Sequence, residues 1–515
     1  MKIPNHKLIY IFLLFMFVFC ACNSLEEEKN RKVFNLDFNG SKGLRLDKSS
    51  KKTISLKDGV ENQALDLRDK AYYTDFPDSS RSLFSMERDF SIGIWLKSDQ
   101  VSKDTTLILA NTDFAAQKTG YYGYRRINKG FALYNCNGSW GWNIGNGNQN
   151  FLYEPIANDQ PINDKEWHCL VFTHKADKHE ISLYYDGVNR AILRIGDLVY
   201  KDFMSDLSLC LGSDPTVNSS YNSFNGMVDE FTIWSKVLSK DEVKQLYGTY
   251  KKTIQEPVNE SDEFTVLNWN IWHGATHYSK EKDGFDGIER TIELIRQSEA
   301  DIVLMQETYG AGSKISSHLG YYYYEAASCI GAVWGANLSV MSRYPLEETY
   351  LLEEKSNYGR NYAFNNGGVK VRMNKDKRVI AFTNWYNGQK PEDLEGALKA
   401  WSSLINQADS MPVIFGGDYN SVSHLDDGIG KSGHSKLMTD AGFIDSYRAC
   451  YPIVKTHPGY SFHTSKERID YIYFKGANLE LLDVRPIIPN FKGKGKLSPG
   501  YPSDHLGIVS KFRFK

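Results

Sequence analysis

The sequence predicts two domains of different class, an all-β sandwich followed by an α/β layered domain. From about Lys32 to Tyr250 short runs alternate apolar and polar residues between Gly, Asn and Asp turns, the period-two signature of half-buried strands. From Glu263 onward apolar runs alternate with amphipathic helical stripes, the pattern of a layered α/β structure. At 515 residues, the chain is also too long for one ordinary domain. Its 41% hydrophobic and 24% charged residues exclude a disordered or collagen-like protein. A net charge of −2 provides no overall basic field for nucleic acid or anionic lipid.

The N-terminus predicts export. A basic start is followed by Leu8 to Phe19 without a charge, shorter than the roughly 20 residues that span a bilayer. Residues 1–21 therefore read as a signal peptide and 22–31 as a tether. Ala21-Cys22 resembles a bacterial lipobox, which implies lipidation at Cys22 and a membrane attachment through that anchor alone. Cys20 is the competing cysteine, but it follows the bulky Phe19. Leu25-Glu26-Glu27-Glu28 resembles the acidic export tag of surface lipoproteins of Bacteroidetes, which implies the outer membrane and the cell surface. Without Cys20 and Cys22 the cysteines are Cys136, Cys169, Cys210, Cys329 and Cys450. That odd, widely spaced set describes neither a disulfide framework nor a zinc site. Cys169 and Cys210 lie in apolar, strand-like runs and are expected as buried free thiols.

Residues 32–250 form the first domain. Phe90-Ser91-Ile92-Gly93-Ile94-Trp95-Leu96 and Ile181-Ser182-Leu183-Tyr184-Tyr185 are strands, and Asp186-Gly187 is a hairpin turn. Helical periodicity is confined to Lys240 to Leu246. The segments Asp89 to Lys97, Glu166 to Phe172 and Gly226 to Trp234, then Leu238-Ser239 and a short helix, resemble the laminin-G-like, concanavalin A-like jelly roll. The resemblance implies a glycan or protein ligand, in some members with Ca²⁺, although many members are spacers. Trp140, Trp142, Tyr121 and Tyr122 could stack on sugar rings; packing on the sandwich is the simpler expectation.

Residues 251–262 are polar, contain Pro257, and read as a linker. In the second domain, 263–515, strands are expected at Phe264 to Ile271, Asp301 to Met305, Val379 to Phe382, Val413 to Phe415, Ile469 to Phe474 and Leu506 to Phe512. Ile288, Ile292 and Ile295 mark one helix face; Leu394, Leu398, Trp401 and Ile405, after Pro391, mark another. The run Tyr321 to Tyr324 reads as an edge strand showing alternate rings to core and solvent.

Five strand-end clusters are too polar for a core: Asn268 to His273, Gln306-Glu307, Gly416 to Asn420, Arg468 to Tyr471, and Ser503-Asp504-His505. Hard oxygen donors of this kind suit Mg²⁺ or Mn²⁺, and no thiolate joins them. The set, in this order, resembles the endonuclease/exonuclease/phosphatase superfamily, which implies an α/β/β/α four-layer sandwich of the deoxyribonuclease-like type. It also implies a metal-dependent phosphoesterase. By that resemblance Glu307, Asn270 and Asp504 hold the metal, and Asp418 orients or deprotonates the attacking water. Asn420 holds a phosphate oxygen, while His505 meets the phosphate as an imidazolium oriented by Asp470.

One position departs from the family pattern. Where members carry His or Tyr, the run Phe382-Thr383-Asn384-Trp385-Tyr386 places Asn384, which can donate to phosphate but cannot act as an acid. Either leaving-group help then comes from the metal's water or from Tyr386, or this branch has a different substrate or slower chemistry. Asn387 is a further phosphate contact, and His424, Asp426 and Asp427 are expected around the substrate mouth. His273 and His277 belong to a substrate or solvent rim rather than a metal pair; Arg343 is structural. Lys492, Lys494 and Lys496 form a basic loop near Asp504. The substrate classes left open are small phosphodiesters, sugar phosphates, nucleic acid and a sphingomyelin-type phospholipid. The rival reading is a glycan- or matrix-binding adhesin with a catalytically weak second domain.

Overall fold

The computed structural model describes residues 32–39, 55–68, 84, 87–100, 105–114, 118–119, 125–126, 129–145, 150–195, 205–216, 222–326, 338–352, 366–427, 433–462, 465–487 and 500–515. Expectations for Cys20, Cys22, the acidic tag, Tyr121, Tyr122, Cys329, Lys492, Lys494 and Lys496 lie outside these residues. Among the described residues no helix is long and apolar enough to cross a membrane.

The first half is a β-sandwich. One sheet runs Ser55–Asp58, Gln63–Asp66, Met227–Trp234, Phe90–Lys97, His168–Lys175, Glu180–Tyr185 and β1 (Val188–Arg194). The opposing sheet runs Asn150–Tyr153, Ser139–Gly145, Gly130–Cys136, Thr106–Ala110 and Cys210–Leu211. Inward residues of both sheets, among them Ile92, Ile94, Leu170, Phe172, Leu109 and Leu133, share one core. Period-two alternation produces this arrangement, because successive side chains point to opposite faces. The Asp186-Gly187 hairpin has φ of 52° and 80°, a left-handed pair that glycine accepts without strain. Trp140 and Trp142 are each only 2% exposed and pack on Tyr153 and Phe172. The expectation that they pack on the sandwich holds, and the sugar-stacking alternative does not: their rings are core. Cys169 and Cys210 are buried free thiols.

The second half is a four-layer sandwich. Its strands are β2 (Glu263–Asn270), β3 (Ile302–Gln306), β4 (Tyr322–Ala326), β5 (Leu338–Ser342), β6 (Leu346–Leu351), β7 (Asn366–Arg372), β8 (Arg378–Trp385), β9 (Val413–Asp418), β10 (Asp470–Lys475), β11 (Leu479–Pro486) and β12 (Ile508–Phe514). One sheet has the order β4-β5-β3-β2-β12-β11, and the other β6-β7-β8-β9-β10 followed by Ile444–Asp445. Val266, Leu304 and Val340 of the first sheet meet Val369, Ala381, Ile414 and Ile472 of the second. Helices α1 (Gly287–Ser298) and α2 (Gly312–Leu319) cover the outer face of the first sheet, and α3 (Glu392–Ala400) that of the second. The expected helix after Pro391 is broken at Trp401, with a second short helix at Ser402–Asn406.

The two halves share a sheet. Strand β1 pairs in parallel with β4, Ala191 opposite Tyr323 and Arg194 opposite Ala326. Tyr321 to Tyr324 is therefore no exposed edge: β4 lies between β1 and β5, and all four tyrosines are buried. The β-sandwich covers the side that local alternation assigned to water. Across the same seam the Ile156 amide donates to Ser317 Oγ at 2.9 Å, and Ser317 Oγ donates to Asp159 at 3.0 Å. Residues 251–262 carry no regular structure but are tied down. Arg372 pairs with Glu256 at 2.5 Å, and the Asn259 amide donates to the Met373 carbonyl at 2.6 Å.

Candidate active site

Four strand ends converge on one rim of the four-layer sandwich. Asn270 ends β2, Glu307 follows β3, Asp418 ends β9, and Asp470 starts β10, which runs antiparallel to β9 with Asp470 opposite Asp418. Asp504 and His505 arrive just ahead of β12. The rim is fixed from below by buried polar ties between the sheets. Gln306 Nε2 donates to Asn268 Oδ1 at 2.9 Å and to Thr383 Oγ1 at 3.0 Å, and Asn268 Nδ2 donates to the Gly417 carbonyl at 3.2 Å. Buried side chains of this kind hold register because an unmade bond there is costly.

Asn270 is the hub. Its Nδ2 donates to Glu307 Oε1 and to Asp418 Oδ2, both at 3.1 Å, and its Oδ1 accepts from the Trp272 amide. Glu307 Oε2 accepts from the His273 amide at 3.1 Å. Backbone strain collects here. Trp272, His273, Ala275, Glu307 and Tyr309 all have positive φ, a conformation that non-glycine residues hold only where surroundings impose it. Asp418 Oδ1 accepts from the Asn420 amide at 2.9 Å, and Asn420 Nδ2 reaches the Tyr386 carbonyl at 3.0 Å and Asp418 Oδ2 at 3.2 Å.

His505 stands beside Asp418. Its Nδ1 lies 2.9 Å from Asp470 Oδ2, and its Nε2 lies 3.9 Å from Asp418 Oδ2 and 3.8 Å from Asp504 Oδ1. Ser503 Oγ accepts from the His505 amide and donates to the Asn270 carbonyl, while Trp269 Nε1 donates to the His505 carbonyl. Burial opposes the imidazolium, but Asp470 and Asp418 outweigh it and hold His505 up to about 10. Burial raises Asp418 above the usual carboxylate range; His505 pulls it back, and Asp470 and Glu307 push it further up. Asp504 is raised first by burial, with the charge of Glu307 adding to it against the pull of His505.

These groups suit a divalent cation. Oxygen donors from Glu307, Asp418 and Asp504 repel one another, and Asp504 Oδ1 is buried without a hydrogen-bond partner. Asp418, Asp470 and His505 also lie close enough together to share an ion. There, however, Asp470 is committed to His505, and a protonated imidazole repels a cation. Glu307, Asn270 and Asp504 add further oxygen donors at the same rim.

Several expected residues stand elsewhere. Asn384 does not face the rim: its Nδ2 donates to the Gly416 carbonyl at 2.9 Å, and its side chain shares the helix-covered face of β8 with Phe382 and Tyr386. The tyrosine expected to help the leaving group, Tyr386, is fully buried against Tyr419 and His434. Burial raises its phenol pKa well above the usual tyrosine value. Asn387 is exposed and accepts from the Gln389 amide, in the loop whose Gly388 abuts the Asn420 carbonyl. His424 is bound to Ser435 Oγ at 2.7 Å. Asp426 is not at a substrate mouth; it sits between Arg448 and Arg468, 2.6 Å from each. Arg343 donates to Tyr321 Oη beside Asp301, at the opposite end of β3 from Glu307. His273 and His277 are hydrogen-bonded to each other at 2.8 Å, with Trp272 stacked on His277.

The residue that does share the rim face is Trp385. It is opposite Asp418 in the β8–β9 register, as Asp470 is opposite Asp418 on the other side. Paired residues point to the same face, so Trp385, Asp418 and Asp470 form one row. Asn384 and Trp385 are neighbours, and a one-residue error of register exchanges the two faces. A separate cleft of about 740 Å³ lies at the seam of the halves, lined by Lys178, Asn189, Lys244, Glu256 and Arg372 among others, away from the carboxylate rim.

Two family models match parts of this chain. The model of the Endonuclease/Exonuclease/phosphatase family matches residues 267–505, and that of the Concanavalin A-like lectin/glucanases superfamily matches residues 69–244. An uncharacterised protein of Caenorhabditis elegans, F14F9.5, is 21% identical over 49% of this chain and 92% of its own length. Among solved structures, an endonuclease/exonuclease/phosphatase from Beutenbergia cavernae is 17% identical, with coverage of 49% of this chain and 72% of that one and a TM-score of 0.37. The human Nocturnin catalytic domain with bound sulfate is 16% identical, with coverage of 50% and 96% and a TM-score of 0.36. D. rerio TDP2 complexed with a single-strand DNA product is 16% identical, with coverage of 49% and 99% and a TM-score of 0.34.

Proposed function

We propose that the endonuclease/exonuclease/phosphatase domain at residues 267–505 makes this protein a divalent-metal-dependent phosphodiesterase. The family match supports a phosphoester-hydrolysing enzyme. One observation carries it. Glu307, Asp418 and Asp504 are gathered around the single carboxamide of Asn270 or beside His505, whose protonated ring faces Asp418 and Asp504.

Glu307, Asn270 and Asp504 would hold Mg²⁺ or Mn²⁺, which when bound neutralises charge on the phosphate oxygens. Asp418, fixed by Asn270 and Asn420, orients the attacking water and accepts its proton, and its raised affinity for protons suits that task. The His505 imidazolium, held by Asp470, faces the negative charge that grows on phosphorus-bound oxygen. Asn420 adds a donor on the same side. Asn384 is off the rim and Trp385, which shares the row of Asp418, carries no acid, so that strand end donates no proton to the leaving oxygen. The chemistry therefore favours esters whose leaving group departs without full protonation.

Anchoring through a lipidated Cys22, with display at the outer surface of the outer membrane, is part of the same proposal. Metabolic labelling with a fatty acid analogue tests it: wild type incorporates label and Cys22→Ser does not. The catalytic reading is tested with a chromogenic phosphodiester, with and without chelator. Chelator-sensitive turnover that Asp418→Ala and His505→Ala abolish is the expected result. Metal-independent or absent turnover, coupled with binding on a glycan array, overturns it in favour of an adhesin.

A further inference from the structure

The β-sandwich reaches the active site through the strand it donates. Strand β1 lies beside β4, and β4 carries Tyr323 and Glu325 on one face, two residues apart. Tyr323 Oη donates to Glu325 Oε2 at 2.8 Å and lies 3.2 Å from Ser339 Oγ on β5. Ser339 Oγ in turn lies 2.9 Å from Thr308 Oγ1. Thr308 directly follows Glu307, the carboxylate assigned to the metal.

All four members of this chain are buried, Glu325 at 2% exposure and the others at 0%. It is continuous, so each hydroxyl is fixed by the next, and the last fixes the backbone on which Glu307 adopts its left-handed φ of 58°. Nothing local favours that conformation for a glutamate. The hydrogen bond from Thr308 therefore stabilises a turn that the sequence alone would disfavour.

The sandwich also grips both sides of the turn. Tyr153, from the opposing sheet of the sandwich, stacks on Tyr323 with ring centroids 6.1 Å apart. The Glu154 amide donates to Ser313 Oγ at 3.3 Å and the Ile156 amide to Ser317 Oγ at 2.9 Å. Ser313 and Ser317 lie on α2, which begins five residues after Glu307. The turn at 307–311 is thus held between β4 and α2, and the sandwich is bonded to both.

We infer that Tyr323, Glu325, Ser339 and Thr308 are positioning residues for Glu307, and that the β-sandwich is a structural part of the catalytic site rather than a spacer or a separable binding module. The inference rests on the phosphodiesterase reading for the role of Glu307. Residues that orient a metal ligand from behind set metal affinity more than the chemical step, with typical effects of about ten- to a hundredfold.

The test uses the full chain and titrates Mn²⁺, following both binding by electron paramagnetic resonance and turnover of a chromogenic phosphodiester. Tyr323→Phe and Thr308→Val remove one hydroxyl each while keeping the shape. Tyr153→Leu removes the stacking ring from the other half, well away from the metal. Each is expected to raise the Mn²⁺ midpoint about tenfold or more, with turnover at saturating Mn²⁺ close to wild type. Thr308→Ser, which keeps the hydroxyl, restores the wild-type midpoint. A variant that misfolds shows itself by lost turnover at saturating Mn²⁺, and the remaining two then carry the decision. Folded variants with wild-type Mn²⁺ midpoints overturn the inference. A wild-type protein with no Mn²⁺-dependent turnover instead overturns the phosphodiesterase reading, which separates the two failures.

Discussion

Asp470 Oδ2 sits 2.9 Å from His505 Nδ1, and both side chains are buried, at 2% and 6% exposure. A carboxylate held against one imidazole nitrogen fixes the orientation of the ring and favours its charged form, whose other N–H faces the rim.

This pair sets a pH dependence. Burial alone would lower the histidine, yet Asp470 and Asp418 raise it to about 10. Because the folded value is raised, the stability from the charged ring is fully present below the unfolded value, near 6.5, and is lost as pH rises from there through about 10. Asp470→Asn should move the His505 titration, read by NMR of the ring protons, down by more than one unit. The alkaline limb of kcat/KM should move with it.

Asp418 should dominate the chemical step. Asp418→Asn keeps the shape but replaces one acceptor oxygen by a donor, and it cannot accept a proton. Turnover at saturating substrate should fall by about 10²- to 10⁴-fold, while the circular dichroism spectrum stays that of the wild type. A decrease of only a fewfold would place the proton acceptor elsewhere.

Asn384 and Trp385 make opposite predictions. Asn384→His places a larger ring on the helix-covered face, where Asn384 is fully buried and bonded to the Gly416 carbonyl. It should lower thermal stability and leave leaving-group dependence unchanged. Trp385→His places an imidazole in the row of Asp418 and Asp470. That variant should gain most on substrates with poor leaving groups, as measured by the slope of rate against leaving-group pKa.

Asp426 bonds both Arg448 and Arg468, whose side chains are 5% and 1% exposed. Asp426→Ala leaves two buried guanidinium groups short of a partner. Urea unfolding should show a loss of about 3–5 kcal/mol, with the metal midpoint of the surviving folded protein unchanged.

The polar strand ends were legible in the sequence for a simple reason. Asn270, Glu307, Asp418, Asp470 and Asp504 are costly in a core, and the α/β order places strand ends at one rim. The structure does bring them together. Trp385 was not legible, because an aromatic in a strand reads as core, and which of Asn384 and Trp385 faces the rim depends on register alone. Tyr321 to Tyr324 was misread for a non-local reason. Local alternation offers one face to solvent, but β1, more than a hundred residues earlier in the chain, lies beside that strand. The positive φ of Glu307 likewise has no signature in its own residue type; the turn is held by the Gly274 amide on the Glu307 carbonyl and by Ser339 of β5 on Thr308.

The parallel register of Ala191 with Tyr323 also bears on how the chain assembles. Contacts this far apart in sequence form slowly, because a long loop must close first. Until they form, β4 offers unpaired amides and carbonyls flanked by tyrosines, a template for another molecule to add a strand. A truncated product starting at the second half would keep that template permanently, and should precipitate on expression while the intact chain stays dispersed. By pairing with β4, the N-terminal half removes that template.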